Sequence, residues 1–232
     1  MDNINVFVYC GGKCGSSTLY NTFEKNGFHP IKIHCNKNYQ IIFKKNDTIF
    51  NLINYSSKNK IIYIIDSYRT PIERKISSFF ENISVHLPNY NNLSIDEIIM
   101  FFNNNFINHI EEYHSINEVL NHYNIPLWKS FNFKNRYNII KKNNMIFIKI
   151  LFKDIQNWNK ILSKIFNKKI IICENNLTST KTINDLYLKF KENYKVPVSY
   201  IENILKNDKE FKIFNTPDEQ IEYINNWLKK SY

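Results

Sequence analysis

Glycine and proline are scarce, with 4 and 6 copies in 232 residues. So little of either leaves almost no material for long linkers, low-complexity tails or a loop-dominated fold. No internal repeat is visible, and one folded domain over residues 1–232 is expected. The four cysteines, Cys10, Cys14, Cys35 and Cys173, have neither the paired spacing of a zinc site nor the density of a disulfide framework. They point to a reducing compartment. No apolar run approaches the roughly 20 residues needed to cross a bilayer. Met1 is followed by the polar pair Asp2-Asn3 and only a short apolar stretch, so no secretory signal is read. Together these absences predict a cytoplasmic protein without a membrane span.

What is present is core-forming material. Hydrophobic residues make up 43% of the chain, and at this length most of the apolar surface of an unfolded chain can be buried. The formal net charge of +10 attracts polyanions or phosphate-rich small molecules. The lysines, however, are spread from end to end, which is the pattern of a solvated surface rather than a stripe for specific nucleic-acid binding.

The scarce glycine is concentrated at one place. Ile4 to Tyr9 is a short β-forming run, and Cys10-Gly11-Gly12-Lys13-Cys14-Gly15-Ser16-Ser17 interrupts it with three of the four glycines. Strand, loop and helix is the natural order. The helix is predicted over Ser16 to Asn26, with Leu19 and Phe23 on its buried face and Gly27 as its stop. A second strand is predicted at Ile31 to His34 and a helix over Tyr39 to Tyr55. The run Ile61 to Ile65 is apolar throughout, as a central parallel strand covered on both faces requires. Pro71 opens the helix that follows.

Farther on, Ser94 and Glu97 form a capping box before an apolar helix, and another helix is predicted around Glu111 to Tyr123. Met145 to Leu151 reads as a core strand, Asp154 to Phe166 as an amphipathic helix and Ile170 to Cys173 as a brief strand. The last helix opens with Thr216-Pro217-Asp218-Glu219. The fold class predicted is α/β, a central parallel sheet flanked by helices with a helical C-terminal half. In such sheets ligands bind beyond the C-terminal strand ends.

Two loops at that edge carry the chemistry. In the first, glycines let the backbone approach an anion, the helix N-terminus supplies N–H groups and Lys13 adds a full charge. Ser16, Ser17 and Thr18 add hydroxyls. The loop departs from G-x-x-x-x-G-K-[ST], because Lys13 precedes the last glycine and Cys14 stands where the Mg²⁺-holding hydroxyl belongs. In the second, Arg69 leaves the apolar strand and Ser77 lies in the second turn of the next helix, a guanidinium and a hydroxyl suited to a terminal phosphate. A purely structural account would pair Arg69 with Asp66 or Glu73.

Together the two loops resemble the sulfotransferase superfamily, whose 5′-phosphosulfate loop reads roughly K-x-G-[ST]-[ST] and whose 3′-phosphate element reads R-x-P-x-x-x-x-x-S. Lys13, Gly15, Ser16 and Ser17 match the first; Arg69, Pro71 and Ser77 match the second. The fuller strings Gly-Ser-Ser-Thr-Leu-Tyr and Thr-Pro-Ile-Glu-Arg-Lys-Ile-Ser-Ser-Phe-Phe look like the subgroup of capsular polysaccharide synthesis proteins.

The resemblance implies a P-loop-like sulfotransferase fold and transfer of a sulfuryl group from 3′-phosphoadenosine-5′-phosphosulfate (PAPS) to a hydroxyl, with a saccharide as acceptor and no metal. It implies that Lys13, Gly15, Ser16, Ser17 and Thr18 hold the 5′-phosphate and Arg69 and Ser77 the 3′-phosphate. It also implies a His or Glu base near the second strand; His34 stands at that strand end, with Glu81 and His86 as further candidates. Asp154 resembles the E-D-L element of these enzymes, or is a helix cap. Residues 175–195, with Lys181, Tyr187 and Lys189, read either as a lid or as solvated helix. Two other readings stay open: a nucleotide-triphosphate kinase or hydrolase using Asp66 on Mg²⁺, and a non-catalytic polyanion-binding module.

Overall fold

The computed structural model describes residues 4–43, 46–107, 115–173 and 183–230. In chain order the elements begin β1 (Val6–Tyr9), α1 (Ser16–Lys25), β2 (Pro30–Ile33), α2 (Asn36–Phe43), α3 (Ile49–Ser57) and β3 (Ile62–Tyr68). Then come α4 (Pro71–Glu81), α5 (Ile83–His86), α6 (Ile95–Asn105), α7 (Asn117–His122), β4 (Tyr137–Lys142) and β5 (Met145–Leu151). The last are α8 (Trp158–Phe166), α9 (Asn184–Asn193), α10 (Val198–Asn207), α11 (Lys209–Phe214) and α12 (Pro217–Leu228). None of the described helices is long and apolar enough to cross a membrane.

Contacts divide the chain into two compact units, residues 1–69 with 113–176 and residues 70–112 with 177–232. The first is a three-layer α/β unit. Its sheet has the order β2-β1-β3-β5-β4, parallel except for β4, which runs antiparallel to β5. Alternation along the strands feeds two cores. Phe7, Ile62, Ile64 and Phe147 pack with Ile53 of α3 and Leu120 of α7 on one face. Val8, Ile65 and Ile148 pack with Leu19 and Phe23 of α1 and Leu162 of α8 on the other.

The end of α1 follows its sequence signal. Gly27 has φ +80, and the Gly27 and Phe28 amides donate to the carbonyls of Glu24 and Phe23 at 3.1 and 3.0 Å. That double closure is a Schellman motif, and glycine supplies its left-handed residue without strain.

The second unit is helical. Its core stacks Phe79 and Phe80 of α4 on Phe102 of α6, on Phe190 of α9 and on Tyr194 just after it. Ring pairs such as Phe79–Phe102 at 5.2 Å and Phe102–Phe190 at 5.3 Å are edge-on, the geometry aromatic quadrupoles favour. Both predicted capping boxes close, Ser94 with Glu97 and Thr216 with Glu219. The Tyr223 hydroxyl of α12 accepts from the Ile72 amide at 3.1 Å and donates to Glu73 at 2.9 Å, and the Trp227 indole donates to Glu73 at 3.2 Å.

Three local expectations are corrected and one strand is added. The segment Ile170 to Cys173 is not a strand: Asn26 grips both the amide and the carbonyl of Ile171, and Thr22 accepts from the Cys173 amide, so side chains at the end of α1 replace a ladder. The helix expected over Tyr39 to Tyr55 is two helices, because Thr48 caps a new start by accepting from the Asn51 amide. Asp154 lies in a 3₁₀ turn, Phe152–Asn157, rather than in the helix, which begins at Trp158. The strand β4 was missed.

Candidate functional site

The order of β2, β1 and β3 explains why two remote segments meet. β1 pairs with β2 on one side and β3 on the other, so the chain leaves β1 toward β2 and leaves β3 from the opposite flank. A crevice opens at such a reversal, beyond the carboxyl ends of the strands. The loop after β1 and Arg69 after β3 border it.

Arg69 Nη1 donates to the carbonyl oxygen of Lys13 at 2.9 Å, joining residues 56 positions apart. The same guanidinium lies over the Phe152 ring at 4.5 Å. A guanidinium carries five N–H donors, so one tie to the loop leaves donors for an anion. Asp66 and Glu73, the alternative partners for Arg69, are engaged elsewhere. Asp66 Oδ2 pairs with Lys149 Nζ at 2.7 Å and accepts from the Ile116 amide at 3.1 Å, and Glu73 is held by Tyr223 and Trp227.

Loop shape depends on two residues in the left-handed region, Lys13 at φ +65 and Gly15 at φ +85. At Gly15 the choice of residue is forced twice. A Cβ there would stand 2.7 Å from Trp158 and 3.0 Å from Phe152, and positive φ is costly for any residue bearing a Cβ. Gly12, by contrast, has nothing within 4 Å of such an atom.

Gly15 is the N-cap of α1, with no side-chain cap bond and no acidic residue in the first turn. A helix start is the positive end of the dipole and is usually satisfied by a carboxylate or hydroxyl. Here a cation approaches instead. Lys32, on β2 between the buried Ile31 and Ile33, places Nζ 3.2 Å from Ser17 Oγ. Ser16 and Thr18 are buried in the same turn, and Ser17 is half-buried. Sequence reading missed Lys32; its alternation as the one exposed residue of a buried strand was the available signal.

His34 sits just past β2. Its Nδ1 is 2.7 Å from the carbonyl oxygen of Cys10. A carbonyl can only accept, so Nδ1 carries the proton and the neutral ring keeps its lone pair on Nε2. A base aligned by a backbone group is suited to taking a proton from a hydroxyl bound beside it. The thiol of Cys10, at the head of this loop, is pushed well above its ordinary range by burial and by the nearby Asp66 charge.

The remaining predicted residues belong to the second unit or have partners of their own. Ser77 is buried on α4 of the second unit, which also carries Glu81 and His86; the His86 ring stacks on Phe79. Asp154 receives a bidentate pair from Arg136 at 2.9 and 2.7 Å, which accounts for it structurally. In the expected lid, Lys181 lies outside the described residues, whereas Tyr187 packs against the second core. The Mg²⁺ role considered for Asp66 meets a physical objection: its carboxylate is fully buried and neutralised by Lys149. Comparison with protein-family models, with curated proteins and with solved structures finds no match for this chain.

Proposed function

We propose that the protein is a sulfotransferase that uses PAPS as donor and a hydroxyl, carried on a saccharide, as acceptor. The observation that carries the reading is the Arg69–Lys13 bond of 2.9 Å: the two cationic residues singled out by motif belong to one loop mouth. The uncapped start of α1 with Lys32 beside Ser17 supports it, since a cluster of positive charge at a positive helix end is relieved by a bound phosphate.

In the proposed reaction the α1 amides and the hydroxyls of Ser16, Ser17 and Thr18 hold the 5′-phosphate. Arg69 supplies charge-assisted donors to the second phosphate. His34 Nε2 takes the proton of the acceptor hydroxyl as its oxygen bonds to sulfur. The bond between sulfur and the bridging oxygen of the 5′-phosphate breaks, and Lys13 neutralises the charge left on that oxygen. Most of the rate enhancement would come from positioning and electrostatics, as in phosphoryl transfer. Ser77 belongs to the second unit, and the reading does not depend on it.

The deciding experiment is calorimetric titration with adenosine 3′,5′-bisphosphate and with ADP. Saturable binding of the bisphosphate, at least tenfold tighter than ADP and independent of Mg²⁺, is the expected result. Equal affinities, or Mg²⁺-dependent preference for ATP, would reject the proposal in favour of nucleotide-triphosphate chemistry.

A further inference from the structure

Beside the edge strand β4, the chain before it, residues 127–135, walls an open cavity of about 730 Å³ within the first unit. Trp128, Phe131 and Tyr137 line it with aromatic surface, and Lys129 is its single ionisable cation; none of its lining residues is acidic.

The polar groups lining it are biased toward donors. Asn132 Oδ1 accepts from the Asn135 amide at 2.9 Å, and Asn135 Oδ1 accepts from Lys164 at 3.0 Å. Each side chain therefore has its oxygen engaged and its NH₂ to offer. Asn138 is consumed at both ends, accepting from the Asn132 amide at 2.8 Å and donating to the Ser130 carbonyl at 2.7 Å. The Trp128 indole N–H is buried without a hydrogen-bond partner among the described residues, so it is out of reach of a ligand in the open cavity. The cavity thus asks for a molecule rich in acceptors, with apolar faces for aromatic rings and one or few negative charges.

We infer that this cavity is a subsite for an acidic saccharide, such as a uronic-acid-containing chain. Sugar C–H faces pack on aromatic rings, ring and glycosidic oxygens accept from the Asn132 and Asn135 amides, and the carboxylate meets Lys129. A nucleic acid fits less well, because a strand-tracking groove needs a succession of cations and only one lines this cavity. The inference rests on the proposed transferase reading only in making this saccharide the acceptor. Tyr137 pairs with Ile150 near the carboxyl end of β5, so one end of the cavity lining is level with the strand ends from which the loop after β1 departs. Three strand spacings separate β1 from β4 in the sheet, about 14 Å, which an extended oligosaccharide can span.

The test is titration of the full chain in 0.15 M salt (about physiological) with a hyaluronan hexasaccharide, a neutral chitin hexasaccharide and a thymidine hexanucleotide. Saturable binding of the acidic sugar alone is expected. It should weaken roughly tenfold or more in Lys129→Glu and in Trp128→Ala, while adenosine 3′,5′-bisphosphate binding is unchanged in both. Lys129 is exposed, so its variant remains informative even if Trp128→Ala fails to fold. Absence of acidic-sugar binding, equal binding of the neutral sugar or the nucleotide, or full affinity in Lys129→Glu would each overturn the subsite. Loss of bisphosphate binding by the unaltered protein would instead strike the transferase reading.

Discussion

Asp66 and Lys149 face each other on the adjacent strands β3 and β5, 2.7 Å apart and both without solvent exposure. The second carboxylate oxygen, Oδ1, has no hydrogen-bond partner among the described residues. Removing one member of a buried pair leaves the other uncompensated, at a cost of about 3–5 kcal/mol. Lys149→Met is therefore expected to lower the urea midpoint sharply, and the double variant Asp66→Leu/Lys149→Met to recover most of the loss. A single variant as stable as the parent would show that the pair is not isolated from water.

Gly15→Ala should distort the loop, since it combines positive φ with a 2.7 Å approach to Trp158. A loss of about 1–3 kcal/mol in urea unfolding is expected, together with loss of bisphosphate binding. Gly12→Ala, with open space around it, serves as control and should stay within about 0.5 kcal/mol of the parent.

Arg69→Ala removes the tie to the Lys13 carbonyl and, on the proposed function, a charge-assisted contact worth about 1.5–3 kcal/mol. Bisphosphate affinity should fall by about one to two decades. Unchanged affinity in that titration would take Arg69 out of the site.

His34→Ala should reduce turnover by about 10²–10⁴ at saturating donor while leaving donor affinity near normal, because the ring is aligned by the Cys10 carbonyl rather than by the Lys13 side of the loop. Near-normal turnover would end its assignment as base.

Alkaline pH probes the core. Burial raises the thiol of Cys10 and the phenols of Tyr9 and Tyr123; the Tyr9 hydroxyl also donates to Glu118, which raises it further. A group raised in the folded state contributes stability that is fully present below its unfolded pKa and lost as pH rises toward the folded value. Unfolding free energy should therefore decline above about pH 8.5–10, the ordinary thiol and phenol range, and Tyr123→Phe should flatten part of that decline. In thiol labelling of the native protein, half-buried Cys173 should react ahead of buried Cys10, Cys14 and Cys35.

The parts of the fold legible in the sequence were those encoded locally. The apolar run before Asp66, the glycine at position 27 and the two capping boxes each act through neighbours a few residues away. β4 escaped because Tyr137 to Lys142 is half-exposed at a sheet edge and lacks an apolar run; its signal was the Asn143-Asn144 turn, with Asn143 at φ +51. At the site, residue types and spacing marked Lys13 and Arg69, but their bond depends on strand order. Lys32 and the Asp66–Lys149 pair depend on register between strands, which a linear reading does not fix.

The interleaving of the two units sets a timetable for biosynthesis. The first turn of α4 is held by Tyr223, 151 positions later. At about 5–20 residues per second that partner leaves the ribosome roughly 8–30 s after Ile72. Phe190 of α9, which packs on Phe79 and Phe80, is made before Tyr223 of α12, so the aromatic core of the second unit can close first and the hold on α4 comes only with the last helix.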